Sequence, residues 1–261
     1  METEKITFQF GKNWESFLNT ISEDQIQSAL QDIEHWIGKE NIVGKTVLDI
    51  GCGSGIHSLA FYLLGAKSVD SFDYDLFSVK TTESLWEKNY KPETWRVFQG
   101  SVLDTDFLNT LQKYDIVYSW GVLHHTGDMW KAIENAASRV DDSGVFWITI
   151  YANGPNYQKH LQLKRNYNAA SWIGKKWLEY ILIFKVMGWR LIHLKNPITW
   201  NERKTRGMDT YHDIVDWLGG LPYEVASEDE IVQFCAQHGL ILTRIKIIGE
   251  GGCNIYVFKR S

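Results

Sequence analysis

The stretch Val47-Leu48-Asp49-Ile50-Gly51-Cys52-Gly53-Ser54-Gly55 constrains the chain more than any other. An apolar run ends in an acid, then glycines alternate, and a helical pattern starts at Ile56. Glycines between a strand and a helix permit backbone angles that other residues resist, and they let a ligand approach the main chain. The helix N-terminus behind them offers unpaired N–H groups. Such a turn belongs at the carboxyl edge of an open parallel sheet, where α/β folds place their ligands.

The surrounding pattern agrees with an α/β chain. Strands are predicted over 46–50, 68–73, 95–99, 115–120 and 145–151, with helices over about 56–64, 76–88 and 129–139. Strand and helix alternate with short connections, as a doubly wound sheet requires. Ser22 to Gln25 has capping-box form, and Ile26, Leu30, Ile33 and Ile37 follow at helical spacing to Gly38. From 152 to 226 the rhythm gives way to helical patterns. It resumes with a second capping box at Ser227 to Glu230, then strands over 240–248 and 254–259. The Gly-Glu-Gly-Gly turn between those strands makes them an antiparallel hairpin. The expected organisation is an N-terminal helical segment (1–41), a core (42–151), a helical insertion (152–226) and a terminal helix and hairpin (227–261) that completes the core sheet.

The glycine pattern is G-C-G-S-G. The dinucleotide fingerprint G-x-G-x-x-G fails at Ile56, which disfavours a nicotinamide-dependent oxidoreductase, and no Gly-Lys-Ser/Thr marks a phosphate loop. Asp73, at the end of the second predicted strand, stands where an acid suits a ribose diol. Ser101 and Val102 follow the third strand, and Tyr118 to Gly121 end the fourth. With these residues in place, the chain resembles class I S-adenosylmethionine-dependent methyltransferases. The resemblance covers about 42–151 and the terminal hairpin. It is closer to a bacterial group sharing Phe10-Gly11-Lys12-Asn13-Trp14, GSVLD, YSWGVLHHTG, and a late RGM…HD..DWLGG.P.EVA over 206–226.

The resemblance implies a Rossmann-like seven-stranded sheet, mostly parallel with the antiparallel hairpin at its end. It implies S-adenosyl-L-methionine as cofactor and S-adenosyl-L-homocysteine as product. Asp49, Gly51, Cys52, Gly53 and Gly55 would hold the methionine half, Asp73 the ribose, and Tyr74, Ser101 and Val102 the adenine. Many family members carry an acid where Ser101 stands, so the adenine amino group would fall to the Ser101 hydroxyl or to Asp104. Trp120 would face the crevice, and Trp14 would belong to a lid.

For proton removal the candidates are His124, His125 and His212, with Tyr151, Asp209 and Asp213 behind them, because imidazole titrates nearest neutral pH. Asp209, His212, Asp213 and Asp216 share one face of a predicted helix. That face reads as solvated acid, as acceptor site or, least of all, as metal site; no metal is expected.

Net charge is −5 over 261 residues. Between Asn156 and Arg206, however, eleven basic residues face two acids. This asymmetry fits a solvated face, an anionic acceptor or an anionic partner surface, and it keeps an RNA or protein acceptor as an alternative; DNA is not expected. A cofactor-binding protein without catalysis is a further alternative. Three cysteines without metal or disulfide spacing, and no signal-peptide pattern, point to a cytoplasmic setting. Charges interrupt the apolar stretch 172–194, so it does not read as a transmembrane span, while peripheral membrane contact stays open. The reading is a methyltransferase, monomeric or homodimeric, acting on a small-molecule or glycan-type acceptor by O- or N-methylation, with the insertion as acceptor cap.

Overall fold

The computed structural model describes residues 23–200 and 210–261. Trp14, Ser22 and Asp209 lie outside them. Seven strands form one sheet: β1 (Thr46–Ile50), β2 (Ser68–Asp73), β3 (Trp95–Gln99), β4 (Tyr114–Trp120), β5 (Val140–Tyr151), β6 (Leu240–Lys246) and β7 (Cys253–Arg260). Their order is β3-β2-β1-β4-β5-β7-β6. The first five run parallel, and β7 pairs antiparallel with both β5 and β6. The sequence thus announces the seven-stranded, mostly parallel sheet correctly, hairpin included.

Strand alternation divides the core between the two sheet faces. Leu48, Ile50, Val117, Phe146, Ile148, Tyr256 and Phe258 enter one cluster. Val47, Ile116, Tyr118, Trp147, Ile255 and Val257 enter the other. The first face is covered by α4 (Thr105–Asn109), α5 (Met129–Ser138) and α9 (Glu228–Gln237), which contribute Leu108, Ala132, Ile133 and Ile231. The second is covered by α1 (Glu23–Ile37), α2 (Ile56–Leu63) and α3 (Leu76–Lys88), through Ile33, Leu59, Phe61 and Leu85. The Ser227–Glu230 capping box forms as its sequence predicts.

The expected strand at Val145 begins earlier, at Val140. Asp141-Asp142-Ser143-Gly144 reads as a turn, and Ser143 does have φ of 60°. Yet Val140 pairs with Tyr114 before a register shift, and regular pairing resumes at Ile116–Val145. A bulge of this kind is extended backbone with turn-like composition.

After β5 come α6 (Tyr157–Ala169), α7 (Trp172–Ile192) and α8 (Thr210–Gly219). The two ends of this stretch meet: Ala152 bridges Ala226, and the Ala226 N–H donates to the Tyr151 carbonyl at 3.1 Å. The helices therefore hang from the carboxyl end of β5, on the same side as the glycine turn.

Candidate functional site

Strand order reverses between β1 and β4, and the loops after those strands open a crevice there. A cavity of about 1300 Å³ occupies it. Gly51 has φ of 75°, and a Cβ there would stand 2.3 Å from Val122 Cγ2. Only glycine allows the β1 turn to lie this close to the β4 loop. Gly53 and Gly55 also have positive φ. Gly55 is the residue before α2 and does not line the cavity; a Cβ would strike Thr82 Cγ2 at 2.8 Å, so its role is to pack the turn onto α3. Thr82 reinforces that contact, donating from Oγ1 to the Gly53 carbonyl at 3.1 Å and to Cys52 Sγ at 3.3 Å. Burial, then the nearby Asp73 and Asp49 charges, push the Cys52 thiol well up, so it stays a neutral wall group.

Asp49 is buried at the cavity edge and is held by a relay of hydrogen bonds. Trp95 Nε1 donates to Ser71 Oγ (2.9 Å), Ser71 to Ser58 Oγ (2.8 Å), and Ser58 to Asp49 Oδ2 (2.5 Å). Every donor is aimed at the next, so the carboxylate is fixed before any ligand arrives. Asp73 accepts from the Gly53 N–H at 3.0 Å and the Asp75 N–H at 2.9 Å. Burial outweighs those bonds and lifts its carboxyl to about 6. Tyr74, Ser101 and Val102 line the same cavity. Ser101 Oγ accepts from the Leu103 N–H at 3.2 Å. Asp104 instead caps α4, accepting from Asp106 and Phe107 N–H groups at 3.0 Å. Between the two candidates for the adenine amino group, Ser101 is the one on the wall. Trp120 lines the cavity beside Gly121, where a Cβ would meet nothing within 4 Å.

The far wall comes from the helices after β5: Leu182, Lys185 and Val186 of α7, then Asp213, Asp216 and Trp217 of α8. Tyr151, at the end of β5, joins them, as does His125. Burial first, then Cys253, Tyr223, Asp216 and Asp213, raise the Tyr151 hydroxyl well above its ordinary range, which keeps it a proton donor.

His124 and His125 do not titrate near neutral pH. His125 Nδ1 lies 2.6 Å from the Pro222 carbonyl, an acceptor, so Nδ1 carries the hydrogen. Burial, helped by Lys164, pushes His125 down to about 3. His124 is fully buried, off the cavity wall, its ring 4.2 Å from Tyr151, and burial drives it well below the usual imidazole value. His212 is half-buried on α8 and does not line the cavity. Among the described residues no group of three His, Cys, Asp or Glu side chains is placed to hold a metal ion.

A family model described as "Methyltransferase domain" matches residues 22–193, more than half of the chain. The chain belongs to that family. S-adenosylmethionine is the family's methyl donor. Among curated proteins, a ribosomal protein L11 methyltransferase from Staphylococcus haemolyticus is 32% identical over 134 residues, 51% of this chain and 38% of its own length. The protein of the same name from Prochlorococcus marinus is 40% identical over 81 residues, 30% of this chain and 27% of its own. The chain thus spans less than half the length of these relatives. Among solved structures, magnesium protoporphyrin IX methyltransferase from Synechocystis PCC 6803 with bound SAH aligns with a TM-score of 0.57 at 15% identity, over 96% of this chain and 94% of that one. An O-methyltransferase family protein from Burkholderia thailandensis gives 0.57 at 13%, over 95% and 58%. At such identities the likeness is one of fold.

The donor set of this methyltransferase domain suits the family's cofactor. S-adenosylmethionine carries an ammonium, a sulfonium and a ribose diol, and carboxyl groups stand at Asp49, just before the glycine turn, and at Asp73, at the end of β2 and bonded to the Gly53 N–H. The open space at Gly121 leaves room beside them.

Two groups have roles that the motif reading does not assign, Glu224 within the late motif and Lys164 outside the motifs. Glu224 accepts from the Gly127 N–H (3.0 Å) and the Met129 N–H (3.2 Å), and its own N–H donates to the His124 carbonyl (3.1 Å). With Pro222 on His125, the segment 222–224 therefore clamps the His124–Met129 loop, so the two late motifs are one physical unit. Lys164 is buried with Nζ 4.6 Å from the Trp217 and Tyr223 ring centres and 5.4 Å from Tyr151, bonded to the Trp217 carbonyl. Burial pushes it down to about 7. It pins α6 to α8 behind the cavity wall; a lysine on a helical pattern carries no mark of this.

Proposed function

We propose that this chain transfers the methyl group of S-adenosylmethionine to a small-molecule acceptor, at oxygen or nitrogen. One observation carries the reading: a single cavity runs from the glycine turn and Asp73 to Tyr151, Asp213 and Trp217 under the helices after β5. Its volume exceeds the usual range for one ligand, about 300–1,000 Å³, which leaves space for cofactor and acceptor together. A wall of strand ends, loops and helices favours an acceptor that enters whole over the surface of a folded macromolecule.

Asp49, Gly51, Cys52 and Gly53 would hold the amino-acid end, Asp73 the ribose hydroxyls, and Tyr74, Ser101 and Val102 the adenine. Bound there, the sulfonium supplies an electrophilic methyl carbon. The chain's own residues have three tasks. Tyr151, kept protonated, donates a hydrogen bond that orients the acceptor. Asp213, on the cavity wall and close enough to raise Tyr151, takes the acceptor's proton. His125, neutral and held by Pro222, shapes the wall beside Tyr151, and His124 supports it from behind. The helices of 152–226 act as an acceptor cap, excluding water and setting geometry.

An anionic acceptor draws less support from the site than from composition. Of the basic residues in 156–200, Lys185 alone reaches the wall, opposite Asp213 and Asp216. The curated relatives are named for a ribosomal-protein acceptor, but their similarity spans about half of this chain at most. The test is transfer from radiolabelled S-adenosylmethionine into extracts of the source cell, separated by size. Label in the small-molecule fraction supports the reading; label confined to protein or RNA overturns it.

A further inference from the structure

The outward face of α7 reverses the pattern of a helix on a soluble protein. Ile173, Trp177, Tyr180, Ile181, Phe184 and Leu191 recur at helical spacing and share one face. All are exposed, Trp177 by 68% and Phe184 by 66%. The opposite face holds the ions. Glu179 is buried and accepts from Tyr167 (2.9 Å), Lys176 (2.7 Å) and Tyr211 (2.8 Å). Arg190, also buried, donates to the Asn196 carbonyl and Thr199 Oγ1, both at 2.8 Å. Ions are thus satisfied inward while rings point outward. An exposed apolar stripe of this length marks an interaction surface.

Charge selects the occupant. Between Asn156 and Trp200 there are eight basic residues and one acid, the buried Glu179, in a chain whose net charge is −5. Lys185 at the edge of the stripe, where it also lines the cavity, and Lys195 beyond its end are exposed, whereas Lys175 lies on the other side of the helix over the Tyr167 ring at 5.4 Å. A second copy seated on this face would bring these cations against their own equivalents. An anionic surface complements them. Trp and Tyr interleaved with Lys is also the composition that settles at the headgroup level of a bilayer. No helix among the described residues is long and apolar enough to cross a membrane, so a lipid-bound α7 would lie on the bilayer surface.

We propose that α7 docks this protein on an anionic lipid bilayer, its aromatic stripe at the headgroup level and its lysines against the lipid phosphates. The inference is independent of the methyl-transfer reading. It has one consequence for it: α7 also lends Leu182, Lys185 and Val186 to the cavity wall, so docking would set the cavity about one helix diameter, roughly 10 Å, from the lipid.

The test is flotation of the purified full chain with vesicles of phosphatidylcholine alone or mixed with phosphatidylglycerol. The protein is expected to float with the anionic vesicles, to be released by high salt, and to stay behind with the neutral ones. Trp177→Gln/Phe184→Gln changes exposed side chains only and should cut the bound fraction about tenfold at an unchanged melting temperature. Lys185→Glu/Lys195→Glu, a charge variant of two exposed lysines that spares the stripe, should remove the preference for anionic lipid. Failure to float with anionic vesicles overturns the proposal. So does binding that both variants retain, or a wild-type dimer that Trp177→Gln/Phe184→Gln dissociates, which would seat a second copy on the stripe.

Discussion

Asp73 should make cofactor affinity depend on pH in a window where an ordinary aspartate would not. Its carboxyl is lifted to about 6 by burial, against two backbone N–H bonds. In the proposed complex the carboxylate is the form that would accept from ribose hydroxyls while keeping those bonds. The apparent Kd for S-adenosylhomocysteine then grows as 1 + 10^(pKa − pH): about twofold at pH 6 and about elevenfold at pH 5. At the ordinary aspartate value the change at pH 5 would be under about 10%. The sign for stability is opposite. The folded value lies above the unfolded one, so the folded protein takes up its proton first as pH falls through 6. Stability rises between about pH 6 and 4, and above 6 the ionised group costs up to about 3 kcal/mol, less for its partial exposure. Asp73→Asn removes that cost and the charge, and leaves an acceptor oxygen for only one of the two backbone N–H groups. Apo stability at pH 8 should change little, while affinity for S-adenosylhomocysteine falls by about 2–3 kcal/mol, or 30- to 150-fold. Titration calorimetry at pH 5, 6, 7 and 8 on both proteins reads each quantity. A Kd that is flat from pH 5 to 7, or a pH step that survives in Asp73→Asn, would refute the reasoning.

Gly51→Ala should destabilise the fold by about 2–4 kcal/mol, combining a left-handed backbone with a Cβ forced onto Val122, and a melting temperature equal to wild type would contradict this. Gly220→Ala would put a Cβ 2.6 Å from His125 Cε1; turnover should drop while calorimetry shows the cofactor Kd unchanged. Asp213→Asn should lower kcat about 10²- to 10⁴-fold with little change in cofactor binding, and full activity would remove Asp213 as the proton acceptor.

The sequence discloses most of the sheet because β1, β2, β3 and β4 are short, continuous and buried, and their ends carry glycines and acids with few other uses. Asp49 and Asp73 are legible for that reason: a carboxylate at a strand end before or opposite a glycine turn has a narrow range of roles. Gly55 is readable as part of the turn but not as a packing contact with Thr82, which lies 27 positions away in sequence. The histidines show the larger gap. Residue type suggests titration near pH 7, whereas burial depth decides the actual value, and depth depends on α8 and on Pro222, nearly 100 residues downstream. The contacts of Lys164 and Glu224 are invisible for the same reason, since each works through the return of the chain at Ala152–Ala226. The α7 stripe is visible as a helical period, but periodicity alone assigns the apolar face inward. Only the positions of Glu179 and Arg190 show that it faces out.

The central claim is that the turn after β1 and the acid ending β2 grip one nucleoside cofactor. Crystals grown with S-adenosylhomocysteine test it most directly. Density is expected along Gly51–Gly53 with the ribose hydroxyls within hydrogen-bond reach of Asp73; an empty crevice at saturating ligand, or a ligand bound away from Asp73, would contradict that claim.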